Sequence, residues 1–351
     1  MEAATSNSNR VACTLHPPAP KKTSEPSRII LAHRTALACA RSMESAESGT
    51  LVRQAMQPPP SIPKDREIAR LLSEAECSHP GFHVELPVHL LTSVGTSRRP
   101  TRTRIVLRHA GTLPSSSVRR LDRNVLMVAP ELALVQIAAQ ERDPIRLLMM
   151  LWEACGTYRT AATSYRPAQQ IPAATNLRKI KRYVERNRSL HGAHKILTLL
   201  RYLANDSASV RETQCALLLG MPAMHGGYGL GIPVMNMRVD ATKEARSIAG
   251  RSFFRCDLCW PKAKIDVEYQ SDEEHEGKAM RIRDSRRANA LASMGWTVIG
   301  ITNDEAGSVS AIGSIAETIR LRLGKRKNTH VFDHYGRMRT LRRKLGLPTR
   351  R

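Results

Sequence analysis

Two short runs in the C-terminal half constrain the fold more than anything else in this 351-residue chain. Phe253–Cys259 and Lys264–Gln270 are rich in β-favouring residues, and the Pro261 to Lys264 segment between them is a turn, so the pair reads as a β-hairpin. Pairing about that turn sets Trp260 opposite Ile265, Leu258 opposite Val267 and Asp257 opposite Glu268. In that register Asp257 and Glu268 lie on one face with their Cβ atoms about 4.5–5.5 Å apart. Within Ile265-Asp266-Val267-Glu268-Tyr269 the apolar residues alternate with Asp266, Glu268 and Gln270, so these three polar side chains share a strand face.

Such an acidic face is costly and needs a reason. The chain carries 55 Lys plus Arg against 31 Asp plus Glu, a net charge of +24, yet six of its acids fall between Asp266 and Glu276. For Asp272 to Glu276 an exposed loop, where water screens the charges, is reason enough. Two carboxylates facing each other across a hairpin repel, and a hard divalent cation removes the repulsion by taking oxygen ligands from both. That chemistry suits Mg²⁺ or Mn²⁺, which keeps open positions for phosphate oxygens. The overall positive charge favours a polyanionic partner, because each phosphate neutralised releases a condensed counterion. A surface hairpin with incidental acids is the competing reading.

The rest of the chain divides by composition. Residues 1–62 hold Pro17 to Pro20 and Pro58 to Pro60 with little periodicity and read as a disordered leader, in which Met1 and Met43 are both possible starts. The run Ile29 to Ala40 is broken by His33 and Arg34 and is no signal peptide, and no stretch is apolar enough to span a membrane. Residues 63–156 read as a small α+β domain: a helix around Ile68 to Leu72, strands at Phe82–Leu91 and Arg104–Arg108, then helices at Glu131–Gln140 and Ile145–Cys155. Residues 157–175 read as a linker. Residues 176–324 form an α/β unit with helical patterns at Asn176–Asn187, Ala193–Leu203 and Asp206–Gly220, the hairpin, a helix at Arg281–Met294, a strand at Trp296–Thr302 and a helix at Ser308–Leu323. In that last helix Val309, Ile312, Ala316, Ile319 and Leu323 recur every three or four residues and Gly324 follows as a capping glycine. Residues 325–351 carry ten Lys or Arg against one acid, Asp333, and read as a basic tail, either a solvated charge run or a contact to a DNA backbone. Seven cysteines, an odd number spread over the chain, argue for a reducing, cytoplasmic setting.

Arg255-Cys256-Asp257-Leu258, Trp260-Pro261, Val267-Glu268-Tyr269, His275, Arg283-Asp284, Arg286-Arg287, Leu291, Gly295-Trp296 and Val298 together resemble the very-short-patch-repair-like nucleases of the restriction-endonuclease-like PD-(D/E)XK superfamily. The resemblance runs from about Ser207 to Leu323. It implies a restriction-endonuclease-like mixed sheet flanked by helices, with Asp257 as the principal metal ligand and Glu268 as the second acid. It further implies His275 as a base that activates water, and Glu212 as the acid of the first core helix. Phosphate could be held by Arg283 and Arg287, which lie four apart on one helical face. The family pattern departs at Gln270-Ser271, where relatives carry Lys, or Asp followed by Gly or Ser. Gln is neither an anionic ligand nor a proton acceptor, so Gln270 puts full activity in doubt.

Several of these residues have plainer readings. Ser209-Val210-Arg211-Glu212 is a capping box, in which Glu212 would return a hydrogen bond to the Ser209 amide. A carboxylate near His275 would hold it protonated and weaken it as a base. Cys256 and Cys259 have half the spacing of a zinc site without a second pair and read as strand cysteines. Gly226-Gly227-Tyr228-Gly229 lacks the ending of a phosphate loop and reads as a tight turn.

The N-terminal unit, through Val88-His89-Leu90-Leu91, the basic strand Thr103 to His109 and Val128 to Leu134, is similar to AbiEi-type antitoxin and regulator proteins. Two functions follow: a Mg²⁺-dependent DNA endonuclease or nickase, or a DNA-binding regulator or antitoxin whose nuclease fold has lost catalysis.

Overall fold

The fold is described from a computed structural model, for residues 27–43, 49–79, 81–94, 99–159, 169–270, 278–326 and 331–348. It is mixed α/β, with two mixed sheets and twelve α-helices among the described residues.

The first half is built from β1 (Ile29–Leu31), α1 (His33–Ser42), β2 (Thr50–Val52), α2 (Asp65–Ser78), β3 (Val88–Thr92), β4 (Arg104–Arg108), β5 (Val118–Arg120) and β6 (Val125–Val128). Its six-stranded sheet runs β2-β5-β6-β1-β3-β4, with β1 parallel to β6 and antiparallel to β3. The expectation of a leader over residues 1–62 is corrected here. Ile29, Ile30 and Leu31 are fully buried in the interior of that sheet, and α1 packs beside it. A three-residue strand buried on both faces shows no alternation, which is why periodicity passes over it. Arg41 of α1 is buried as well and donates to the carbonyls of Glu153 and Tyr158. The strand expected from Phe82 begins only at Val88, directly after Pro87, which has no N–H for a ladder.

The chain continues through α3 (Pro130–Gln140), α4 (Pro144–Cys155), β7 (Tyr158–Arg159), β8 (Gln169–Gln170), α5 (Leu177–Arg186), α6 (Ala193–Leu199) and α7 (Val210–Gly220). Residues 157–175 are not a bare linker: β7 and β8 pair, and Tyr158 is buried with its hydroxyl 3.1 Å from that of Thr213. Nor does a core boundary fall at residue 156. Leu148, Leu151 and Trp152 of α4 share one apolar cluster with Ile180, Leu218 and Ile265, and Trp152 Nε1 donates to the Tyr202 carbonyl at 2.8 Å.

The second sheet uses β9 (Val234–Asp240), β10 (Phe253–Trp260), β11 (Ile265–Gln270) and β12 (Thr297–Thr302), in the order β12-β11-β10-β9. Only β11 and β12 are parallel. One face is covered by the large cluster, to which α7, α10 (Asn303–Gly307) and α11 (Val309–Arg322) contribute. The other is covered by α8 (Lys243–Ala249) and α9 (Lys278–Ser293) through Ala245, Ala290 and Leu291. The apolar repeat read in α11 buries Ile312, Ala316 and Ile319, and Gly324 follows at φ +63°.

The last element, α12 (His334–Leu345), corrects the reading of residues 325–351 as a tail. Met338, Leu341 and Leu345 enter the large cluster, and Arg342 is fully buried with its guanidinium on the carbonyls of Ala306, Gly307 and Pro348. The glycine segment at 226–229 is a turn beneath this helix, and a side chain at Gly226 would overlap the Arg337 carbonyl. No helix among the described residues is long and apolar enough to cross a membrane.

Candidate active site

The hairpin folds in the register read from sequence for three rungs, with Trp260 paired to Ile265, Cys259 to Asp266 and Leu258 to Val267, but the expected Asp257–Glu268 pair is not part of the ladder. Beyond that rung the two strands part, and the Asp257 carboxylate takes over from the ladder. Its Oδ2 accepts the Tyr269 amide at 3.2 Å.

Asp257 also sits where the strand turns over. Phe254 and Cys256 pack under α8 and α9, whereas Leu258 and Trp260 pack in the large cluster on the opposite face. A regular strand would hold all four on one side. The neighbouring β9 turns over at the same rung, since Met235 packs in the large cluster while Met237 and Val239 pack against the other. Pairing is in step on both sides of the inversion, with Cys256 opposite Met237 and Leu258 opposite Met235. The residue at the crossing is Asn236, held at φ +46°, a left-handed conformation that Asn tolerates better than most side chains.

Asn236 connects this crossing to the first turn of α7. Its Nδ2 donates to Glu212 Oε2 at 2.6 Å, and the same oxygen accepts the Ala208 amide at 2.9 Å. Ser209 Oγ accepts the Glu212 amide at 3.1 Å, as a cap should. The return bond of the expected box goes elsewhere, however: Glu212 reaches the amide before the cap residue, because its carboxylate is drawn toward Asn236. Glu212 is buried, and burial raises its pKa. Asp257 is pushed up to about 7, first by burial and then by the negative charge of Glu212, with Asp266 adding to it.

On β11, Asp266 is fully buried and Glu268 is partly exposed. Arg287 of α9 spans them. Its Nη1 donates to Glu268 Oε1, its Nη2 lies 3.8 Å from Asp266 Oδ2, and Nη2 also donates to the Arg255 carbonyl. Arg287 thus faces the acids of the sheet, while Arg283, one turn earlier, is exposed. Gln270 is exposed at the last rung of β11, paired with Thr302, and its amide lies over Gly300. His275 lies outside the described residues, as do the acids Asp272 to Glu276.

The structure therefore brings Glu212, Asp257, Asp266, Glu268 and Arg287 into one neighbourhood and leaves Arg283 and Gln270 at its margin. Sequence reasoning missed Asn236 and Asp266 as parts of it. A buried Asp alternating with Ile265 and Val267 was the available signal for the second; for Asn236 nothing in the sequence marked the inversion.

Asp257 lies in a negative field that would favour a cation. Asp257 is desolvated beside two further acids, so its ionised form is strained electrostatically and gains from a positive partner. The Arg287 guanidinium already meets part of that need on the Glu268 side.

Two uncharacterized proteins of Mycobacterium tuberculosis, from strains CDC 1551 / Oshkosh and ATCC 25618 / H37Rv, are each 27% identical to this chain over 227 residues, which is 64% of this chain and 71% of theirs. No family model matches the chain, and no solved structure matches it.

Proposed function

We propose that the chain is a Mg²⁺-dependent DNA endonuclease or nickase built on a restriction-endonuclease-like core. The observation that carries this reading is the half-buried Asp257, which accepts the Tyr269 amide where the β10–β11 ladder ends and lies in the negative field of Glu212 and Asp266. Asp257 and Glu268 would hold the metal, which when bound acidifies water and offsets charge on the phosphate. Glu212, fixed by Asn236 and the Ala208 amide, keeps a negative field on Asp257 and favours a cation there. His275 is assigned as the proton acceptor. Arg283, exposed one turn from Arg287, is assigned to the DNA phosphate, and the net charge of +24 supports a polyanionic substrate.

Supercoiled-plasmid nicking with Mg²⁺ tests the proposal. Wild type should nick, chelator should stop it, and Asp257→Asn and Glu268→Gln should each lose at least about 100-fold. Equal nicking by all three proteins overturns it.

One observation favours the second reading, a DNA-binding regulator or antitoxin without cleavage: Arg287 occupies Glu268 at the place where a metal would need that carboxylate, beside the uncharged Gln270. That reading expects salt-dependent duplex binding with no strand breaks. Nicking gained by Gln270→Asp would mark the chain as a decayed enzyme.

A further inference from the structure

The strand inversion at Asp257 has a second effect, on the other side of the sheet. Residues three apart in a regular strand point to opposite faces. Here Cys256 and Cys259 both point under α9, where Cys259 meets Asp266 across the hairpin. All three are fully buried, and one donor atom from each, two sulfurs and a carboxylate oxygen, lies within 4.8 Å of the others. The cysteine spacing that carries half of a zinc site in the sequence thus acquires a third donor from the folded hairpin.

Two independent features point to a ligand. Asp266 Oδ1 lies 3.8 Å from the Cys259 thiol, while Asp266 Oδ2, also buried, accepts no hydrogen bond from any described residue. A buried carboxylate oxygen with no hydrogen bond and only a 3.8 Å approach from Arg287 is costly, and a metal ion is one of the few partners that removes the cost. The charges also favour an ion: two thiolates and one carboxylate carry three negative charges, a divalent ion leaves one, and Arg287, shared with Glu268, offsets part of the remainder. Its Nη2 is 4.0 Å from Cys256 Sγ and 3.8 Å from Asp266 Oδ2, where it would support ligands from the outer shell.

We infer that Cys256, Cys259 and Asp266 form a buried structural site for a borderline-soft divalent cation of the zinc class. The thiolates select such an ion over Mg²⁺, which takes oxygen ligands, so this site differs in chemistry as well as residues from the Asp257–Glu268 pair. The two sulfurs and one oxygen of Asp266 supply three ligands of a four-coordinate shell, which leaves one position for a further donor. Binding converts two thiols to thiolates and releases their two protons to solvent. The ion ties β10 to β11 at the Cys259–Asp266 rung, two residues from Asp257 and Glu268 along the strands. The inference does not depend on nuclease activity.

Metal analysis and cobalt substitution of the full chain test it. Protein purified without chelator should hold about one equivalent of zinc. The apo protein titrated with Co²⁺ should develop a thiolate-to-cobalt charge-transfer band, displaced on adding Zn²⁺. Cys259→Ala and Asp266→Asn should lose the zinc and weaken the band, while Asp257→Asn should keep both. Zinc at background level together with no charge-transfer band in wild type overturns the inference, whatever the variants do. So does Co²⁺ binding without that band, or a band abolished by Asp257→Asn in protein whose circular dichroism is unchanged, because the ion would then sit on the other acids.

Discussion

Asn236 and Glu212 are joined by a 2.6 Å hydrogen bond that fastens the one left-handed residue of β9 to the first turn of α7. The bond has two separable parts, a donor to a buried carboxylate and a backbone conformation with φ +46°. Asn236→Ala loses both, at about 1.5–3 kcal/mol for a hydrogen bond to a charged group and about 1–2 kcal/mol for the left-handed backbone. Asn236→Gly loses only the first. Urea unfolding should therefore rank wild type above Gly and Gly above Ala. Equal stabilities for the two variants would show that residue 236 is not held left-handed.

Asp257 gives the stability a pH dependence of known sign. Its pKa rises from 3.8 to about 7 on folding, so across that window the folded chain holds more protons than the unfolded one and stability falls as pH climbs. Asp257→Asn removes the titration and keeps an oxygen to accept the Tyr269 amide. The variant should gain on wild type by on the order of 2 kcal/mol between pH 5 and pH 8, with the gain levelling above pH 7. Mg²⁺ at pH 8 should raise the Tm of wild type and leave the variant unmoved. Thermal melts at the two pH values decide; parallel pH profiles for the two proteins would contradict the burial of this carboxyl.

What the sequence makes legible follows the physics of each element. The hairpin register is readable because a turn and an apolar alternation fix it jointly: Trp260, Leu258, Ile265 and Val267 all belong to one core. The inversion at Asn236 and Asp257 is not, since counting by twos carries the phase of a strand through unchanged. The same inversion hides β9, whose Met235 and Met237 serve opposite faces and blur its alternation. In α12 the density of Arg and Lys masks Met338, Leu341 and Leu345, which sit at helical spacing beneath it. The sequence sets Asp257 opposite Glu268, but the ladder ends at Leu258–Val267, where the strand inversion begins. The engagement of Glu268 by Arg287 is not legible, because it needs the packing of α9 on the sheet.

Two arginines next to each other in α12 should behave oppositely. Arg342 is fully buried on three carbonyls, whereas Arg343 is exposed. Arg342→Ala leaves those carbonyls without their donor and opens a void, a loss of about 3 kcal/mol or more, while Arg343→Ala should stay within about 0.5 kcal/mol. Both remove one positive charge. If binding to a polyanion is measured under conditions where both remain folded, the exposed Arg343 should change the salt dependence and Arg342 should not.

The buried strand at the start of the described chain makes the sharpest demand on the first sheet. Ile30 is fully buried and pairs with Leu126 on β6, while Leu31 on the other side meets Leu90 of β3. Leu51, by contrast, lies on the edge strand β2 and is 37% exposed. Ile30→Ala should cost about 2–5 kcal/mol, the range for emptying a packed aliphatic site, and Leu51→Ala less than about 1 kcal/mol. A chain beginning at Met43 lacks β1 and α1 altogether. It leaves β6 and β3 each with an unpaired edge inside the sheet, and should show no cooperative melt and bind hydrophobic dye at room temperature. A sharp transition from that shortened chain would mean that the sheet closes without β1.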